Sequence, residues 1–177
     1  MPVCDHATRI RGSDFGQWVD AYDCAPLDPE RTPPAAVRNR VAATSCIATS
    51  ALRRSLESAE ALAPGRPLVS DPLFNEAGVP TAIPWHFTLR PDHWDALARI
   101  AWLAGWARET ESFRGAIARA DRAAERLIDL ARAHGSVTLV GHGMLNTLIA
   151  RALRRRGWKG GGSPRSYWGL VTLHLAA

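Results

Sequence analysis

A histidine flanked by two glycines follows a short run of residues typical of a buried strand. Val137–Val140 are apolar or β-branched and predict such a strand, and Met144–Arg156 predicts a helix. His142, between Gly141 and Gly143, is then expected at the carboxyl end of a strand and beside the N–H groups of a helix start, where anions bind. The pattern indicates a histidine directed at an anionic group; a core histidine in a tight turn is the simpler alternative.

Two other functions of a glycine-rich turn are excluded by the residues around it. A dinucleotide-binding turn would need a glycine where Asn146 stands, and too little chain follows for the rest of that βαβ unit. A nucleophile elbow would need a serine in place of His142.

A second strand-to-helix corner carries arginine. Ser45–Thr49 predicts a small strand, and Leu52–Leu62 predicts a helix whose apolar stripe faces the core. An arginine at such a helix start can hold a phosphate with both arms of its guanidinium, assisted by the helix dipole. One of Arg53 and Arg54 lies nearer the strand ends, and the periodicity alone does not decide which.

A carboxyl group in a proline-rich loop is the third candidate. Glu76 follows Asp71-Pro72-Leu73-Phe74 in a predicted loop over residues 71–84. In such apolar surroundings it could act as a general acid. An ordinary loop glutamate is the alternative.

Strands and helices alternate along the rest of the chain. Further helices are predicted for Phe15–Tyr22, Ala35–Ala43, Pro91–Ala104 and Ile117–Ala131, and further strands for Pro67–Ser70 and Tyr167–Leu175. Residues 1–11 and 160–164 are predicted to be loops. The alternation predicts an α/β layered fold with a largely parallel sheet, in a single domain over residues 1–177.

The composition is that of a soluble globular protein, with 46% hydrophobic and 22% charged residues in a chain of 177. No apolar run approaches the length of a membrane span and no signal peptide follows Met1, so a cytoplasmic protein is expected. Cys4, Cys24 and Cys46 are expected to be reduced thiols.

The net charge of +5 comes almost entirely from arginine, with Lys159 as the only lysine. This bias is more typical of base composition than of a phosphate-binding surface. One basic cluster stands near the C-terminus; its members are Arg151, Arg154, Arg155, Arg156, Lys159 and Arg165. A solvated helix end explains it, because cations suit a helix C-terminus, so a nucleic-acid partner is not expected.

Three of these motifs together resemble the histidine phosphatase superfamily, also called phosphoglycerate-mutase-like. Residues 49–59 (TSALRRSLESA) are similar to the family's S-S-x-L-x-R-A-x-Q-T-A segment, which implies Arg54 as the phosphate-binding arginine. Glu76 falls where the family carries its proton donor, after a D-x-x-L-x-E-like stretch. Val140–Gly143 resembles the family's V-S-H-G motif. The order of the motifs matches over most of the chain.

The resemblance implies a three-layer fold and a phosphate site formed by Arg54, His142 and Gly143. Arg54 and His142 would stabilise the transferring phosphoryl oxygens, and Glu76 would protonate the leaving oxygen. No metal or other cofactor is implied, and the expected ligand is a small phosphorylated molecule or a phosphopeptide. Residues 77–112 fall where such enzymes build their substrate cap. Core packing explains the tryptophans there better than a ligand-facing aromatic wall.

The family's nucleophile is missing from this sequence. It is a histidine in an Arg-His-Gly motif at the end of the first, central strand. Upstream of Phe15 there is no apolar run and a single histidine, His6, which follows an acidic residue and has no arginine before it. A parallel sheet without its middle strand would leave unpaired backbone groups inside the fold. We therefore expect Met1 to be an internal methionine, an upstream strand to carry Arg-His-Gly, and the chain as given to be inactive.

Two alternative functions remain open on the sequence. A non-catalytic relative of the family would bind a phosphorylated ligand or a partner protein without turnover. A nucleic-acid binder would use the basic cluster, but no nucleic-acid motif accompanies that cluster. The sequence does not fix the substrate or the oligomeric state.

Overall fold

The computed structural model describes residues 2–163 and 166–175. Its strands are β1 (Ile10–Arg11), β2 (Cys46–Thr49), β3 (Leu68–Ser70), β4 (Thr88–Leu89), β5 (Val137–Val140), β6 (Trp158–Gly162) and β7 (Val171–Leu175). Its α-helices are α1 (Phe15–Cys24), α2 (Ala35–Ala42), α3 (Arg53–Leu62), α4 (Pro91–Leu103), α5 (Phe113–His134) and α6 (Gly143–Arg155). The predicted α/β class is confirmed. In these residues no helix is long and apolar enough to cross a membrane.

A parallel sheet in the order β3-β2-β5 forms the centre of the fold. β2 is buried along its whole length, which explains why its sequence is a continuous apolar run and not an alternating one. Thr49 at the end of β2 is in register with Ser70 of β3 and with Val140 of β5. The three strands therefore end together, and the residues that follow them meet at one edge of the sheet.

Helices cover both faces of this sheet. On one face, Val41 of α2 and Leu62 of α3 pack with Ile47. On the other face, the alanine stripe of α5 and the apolar side of α6 pack with Ala48. Neighbouring residues of β2 thus belong to different clusters, because successive strand residues point to opposite faces. This is the three-layer arrangement that the resemblance implies.

A third apolar cluster joins α1 to α4, with Phe15 and Trp94 fully buried in it. β1 and β4 pair antiparallel, so the segment 1–11, predicted to be a loop, ends in a two-residue strand. Trp94 and Trp102 have no exposed surface, so core packing accounts for both, whereas Trp85 is 48% exposed.

The glycine-rich segment after α6 is a strand, and the prediction of a loop there is wrong. β6 extends to Gly162 and pairs antiparallel with β7; Pro164 lies outside the described residues. Glycine carries no side-chain signal for a strand, yet Gly160 and Gly162 are needed here because their φ angles are +141° and +120°. A Cβ atom at Gly160 would lie 2.0 Å from the carbonyl oxygen of Thr172.

β5 is an outer strand of the sheet in the described part of the chain. It pairs with β2 along one side, and no described strand pairs with its other side. Across a cavity of about 1100 Å³ lies β7, which begins at Val171 and not at Tyr167 as predicted.

Candidate functional site

Buried polar side chains gather at the carboxyl edge of the parallel sheet. Within residues 2–163 and 166–175, the buried polar residues are Thr49, Ser50, Ser55 and His142. Ser50 Oγ and His142 Nε2 share a hydrogen bond of 2.7 Å, and Ser55 Oγ donates to Val140 O at 2.6 Å. Burying polar groups costs free energy, so a polar cluster within an apolar core is expected where function requires it.

His142 follows β5 and is the N-cap residue of α6, with 7% of its surface exposed. Burial lowers the pKa of His142 from 6.5 to about 3, with the positive charges of Arg54 and Arg119 as smaller causes. The imidazole is therefore neutral at pH 7. Because its surroundings carry two guanidinium groups, the position favours an anion next to the ring.

The structure shows different surroundings for Arg53 and Arg54, which the periodicity alone does not distinguish. Arg53 is more than half exposed and forms an ion pair of 2.6 Å with Glu57, one turn along α3. The side chain of Arg54 is 13% exposed and faces the ring of Tyr22, with 5.4 Å between Cζ and the ring centroid. The charge of Arg54 also lowers the pKa of His142, whereas Arg53 is not among the causes of that shift.

An acidic residue of α1 already pairs with this arginine. Asp23 accepts a hydrogen bond from Arg54 Nη1, and its side chain is 41% exposed. A phosphate bound to Arg54 would compete with the Asp23 carboxylate for the same guanidinium. Asp23 carries no sequence signal for this role, because nothing in the local pattern connects α1 with α3.

Glu76 lies against the first turn of α6. Its carboxylate accepts hydrogen bonds from Leu145 N at 3.0 Å, from Met144 N at 3.3 Å and from Ala77 N at 2.9 Å. The first N–H groups of a helix have no partner within the helix, so the carboxylate of Glu76 caps α6. Gly143, which the resemblance assigns to the phosphate site, is exposed at this helix start, and the N–H groups of Met144 and Leu145 bond to Glu76.

His6, the single histidine upstream of Phe15, lies between α1 and α4. Its Nδ1 is 2.7 Å from a carboxylate oxygen of Asp92, and its ring packs edge-on against Trp18 and Tyr22. None of these contacts joins it to His142.

Two further residues of the site are absent from the sequence-based set. Arg119 of α5 reaches the loop that carries Glu76; its spacing from Ala116 and Ala120 places an arginine in a buried stripe, which is a usable sequence signal. Asn146 has a buried Oδ1 without a hydrogen-bond partner in the described part of the protein. A Cβ atom at Gly141 would lie 2.8 Å from that oxygen, so a side chain at this position would require Asn146 to move.

The basic cluster near the C-terminus is partly neutralised by α5. Arg155 and Arg156 each bond to Asp121 at 2.9 Å, and Arg156 also pairs with Glu125 at 3.0 Å. Arg165 lies outside the described residues. These pairs favour a helix end over a nucleic-acid surface. In the same described ranges, no group of three or more His, Cys, Asp and Glu side chains is placed to hold a metal ion.

Comparison with known proteins assigns this fold and sequence to a family. The model of the histidine phosphatase superfamily (branch 1) matches residues 31–165. The chain belongs to this superfamily. The matched range contains the corner with Arg54, the loop with Glu76 and the turn with His142. No curated protein matches the chain significantly.

Solved structures share the fold of this histidine phosphatase superfamily member. The native structure of a mycobacterial glucosyl-3-phosphoglycerate phosphatase has a TM-score of 0.59 and 24% identity, covering 88% of this chain and 76% of that one. The structure of the same phosphatase complexed with VO3 has a TM-score of 0.58 and 21% identity, covering 98% of this chain and 94% of that one. A protein described as mycobacterial hydrolase 1 has a TM-score of 0.52 and 23% identity, covering 79% of this chain and 78% of that one. At these identities the likeness concerns the fold.

Proposed function

We propose that this superfamily member binds the phosphate group of a small phosphorylated molecule between Arg54 and His142. The observation that carries the proposal is the position of His142, which is buried at the sheet edge and bonded to Ser50, while the positive charges of Arg54 and Arg119 act on its ring. A guanidinium matches a phosphate with two parallel hydrogen bonds. A phosphate would also balance the positive charge gathered around the ring.

We propose phosphomonoester hydrolysis as the reaction of the site once a nucleophilic histidine is supplied. That histidine attacks phosphorus, the P–O bond to the leaving group breaks, and Glu76 gives the leaving oxygen a proton. A water molecule then attacks the phosphohistidine and gives a proton to the Glu76 carboxylate, the P–N bond breaks, and inorganic phosphate is released with Glu76 protonated again. Arg54 and His142 stabilise the charge on the phosphoryl oxygens in both steps.

The free side of β5 supports a position for the strand that would carry this histidine. The cavity of about 1100 Å³ between β5 and β7 lies on the α5 and α6 face, and a second cavity of about 270 Å³ borders β5 on the α2 and α3 face. An inserted strand would place alternate side chains in the two cavities. If parallel to β5, it would end beside His142. Asn146 lines both cavities, and its unpartnered Oδ1 would accept a hydrogen bond from that strand.

We propose in addition that residues 77–112 form the cap of this site within one domain. The packing of α4 on α1 supports this, because α1 carries Tyr22 and Asp23, which contact Arg54.

We also propose a cytoplasmic location for the protein, which the free thiols of Cys4, Cys24 and Cys46 support.

Phosphate binding is tested with the 177-residue chain and inorganic phosphate, followed by NMR of the His142 ring. Arg54→Gln is expected to weaken binding at least tenfold, since a charge-assisted contact contributes about 1.5–3 kcal/mol. Arg53→Gln is the matched control, because it removes the same charge from an exposed neighbour, and is expected to change affinity less than about twofold. Equal effects of the two variants would refute the assignment of Arg54.

The hydrolytic part of the proposal is tested by the intact mass of the protein from its native host and by its activity on p-nitrophenyl phosphate. A mass above 19.3 kDa, with additional residues that contain Arg-His-Gly, together with turnover, would support it. A protein of 19.3 kDa that binds phosphate without turnover would make it a non-catalytic phosphate-binding relative.

A further inference from the structure

Arg119 is a charged residue in a buried stripe of alanines. On α5, Ala116, Ala120 and Ala123 are buried, and Arg119 lies on the same helix face with a side chain that is 15% exposed. A guanidinium in such a position is costly unless its N–H groups are bonded. The hydrogen-bond partners of Arg119 therefore indicate its structural role.

The guanidinium of Arg119 binds the backbone of the loop that carries Glu76. Nη1 donates to Asn75 O at 2.6 Å and to Leu73 O at 3.1 Å, and Nη2 reaches Glu76 O at 3.5 Å. On its other side, Nη2 and Nε donate to the carboxylate of Glu111 at 2.7 Å and 3.1 Å. Glu111 thus fixes the orientation of a guanidinium that holds three carbonyl groups of one loop.

The same loop is tied to the sheet edge from the opposite side. Asn75 Oδ1 accepts a hydrogen bond of 2.9 Å from Ala51 N, in the corner that follows β2. The carboxylate of Glu76 accepts from Met144 N and Leu145 N at the start of α6. The backbone of Glu76 is therefore held by α5 and its side chain by α6, so a shift of the loop would move the carboxylate away from the turn that carries His142.

We propose that Arg119, oriented by Glu111, is the positioning residue for Glu76. This inference rests on the proposed function, in which Glu76 protonates the leaving oxygen. A proton donor must lie within hydrogen-bond reach of that oxygen. Arg119 contacts backbone carbonyls of the loop, and therefore acts through Glu76.

The first test measures amide hydrogen exchange at Met144 and Leu145 by NMR in the 177-residue chain. Arg119→Lys keeps the charge but loses the fork that spans Glu111 and the loop. We expect exchange at both amides to accelerate about tenfold or more, as it should in Glu76→Ala, which removes both acceptor oxygens, because the hydrogen bonds to the carboxylate are lost. Glu111→Gln is expected to have a smaller effect of the same kind. Arg122→Lys, an exposed change on the same helix, is the control and should leave both amides unchanged.

The second test compares two substrates in the catalytically active form of the protein. A p-nitrophenolate leaves without protonation, whereas an alkoxide needs a proton donor. Arg119→Lys should lower kcat for an alkyl phosphate by about tenfold or more and kcat for p-nitrophenyl phosphate by less than about threefold, at unchanged KM. A general loss of structure would lower both equally.

The outcomes separate the positioning role from the proposed function. Unchanged exchange at Met144 and Leu145 in Arg119→Lys, or equal loss on both substrates, would overturn the positioning role. Faster exchange at these two amides, together with no phosphomonoester hydrolysis by a form of the protein that contains an Arg-His-Gly motif, would support the positioning of Glu76 and refute the phosphatase reaction.

Discussion

At the residue scale, the candidate site is organised by charges around one neutral histidine. The guanidinium groups of Arg54 and Arg119 act on His142. Carboxylates offset them: Asp23 pairs with Arg54, and Glu76 accepts from the helix start beside the ring. If a phosphate binds here as proposed, it would compete with the Asp23 carboxylate, which already bonds to Nη1 of Arg54.

The proposed phosphate site therefore predicts that Asp23 influences phosphate affinity. Asp23→Asn removes the competing charge while keeping the shape of the side chain, so we expect tighter binding of inorganic phosphate. A half-exposed ion pair contributes up to about 1 kcal/mol, which corresponds to at most about a fivefold lower Kd. Calorimetric titration measures it, with Asp20→Asn, an exposed change of equal charge on the same helix, as the control. Weaker binding in Asp23→Asn alone would show that Asp23 assists the ligand.

The lowered pKa of His142 predicts how stability depends on pH. With a pKa of about 3 in the folded state and 6.5 in the unfolded state, the unfolded chain binds the proton between these values. The contribution of His142 to the free energy of unfolding is therefore fully present above pH 6.5. It is lost as the pH falls toward 3, by up to about 1.4 kcal/mol per pH unit. Urea unfolding at several pH values should show a shallower pH dependence in His142→Gln than in wild type. His86→Gln, an exposed change, should follow the wild-type profile, and parallel profiles for all three proteins would refute a buried neutral His142.

At the element scale, the site results from two parallel strands that end in register. β2 and β5 end opposite one another at Thr49 and Val140, so the residues that follow each strand come within hydrogen-bond distance at Ser50 and His142. The antiparallel hairpin of β6 and β7 has a different basis. Its register depends on the positive φ angles of Gly160 and Gly162, which other residues rarely adopt.

The hairpin offers a matched pair of substitutions. Gly160→Ala would place a Cβ atom 2.0 Å from Thr172 O at a positive φ, whereas a Cβ atom at Gly161 meets nothing within 4 Å. We expect Gly160→Ala to destabilise the protein by more than about 2 kcal/mol, through strain and a backbone clash, and Gly161→Ala by less than about 0.5 kcal/mol. Denaturant unfolding measures both, and exchange at the amides of β7 localises the effect. Equal stability of the two variants would mean that this segment is a loop.

At the scale of the whole molecule, periodicity predicts the layers of the fold because it reports burial along one element. It also predicts that His142 and an arginine of the corner after β2 approach each other, because parallel strands end at one edge. Periodicity does not predict the strand around Gly160, because glycine has no side chain that could show an alternating pattern. It also fails to place Asp23 and Arg119, because contacts between distant helices leave no local pattern; only the alanine stripe around Arg119 gives a signal for a buried charge.

If an additional strand pairs with the free side of β5 as proposed, the 177-residue chain should differ from a longer form that contains this strand. In the chain alone, backbone amides on the free side of β5 have no strand partner in the described structure, so they should exchange about as fast as those on the outer side of β3. In the longer form, β5 becomes an inner strand and these amides should exchange at least about tenfold more slowly, since exchange of paired core amides requires opening of the sheet. The outer side of β3 is the internal control, because it remains an edge in both forms. Exchange resolved by residue measures both strands in one experiment. If β5 amides are equally protected in the two forms while β3 amides stay fast, the free side of β5 is covered by another part of the molecule and the position proposed for the nucleophile is wrong.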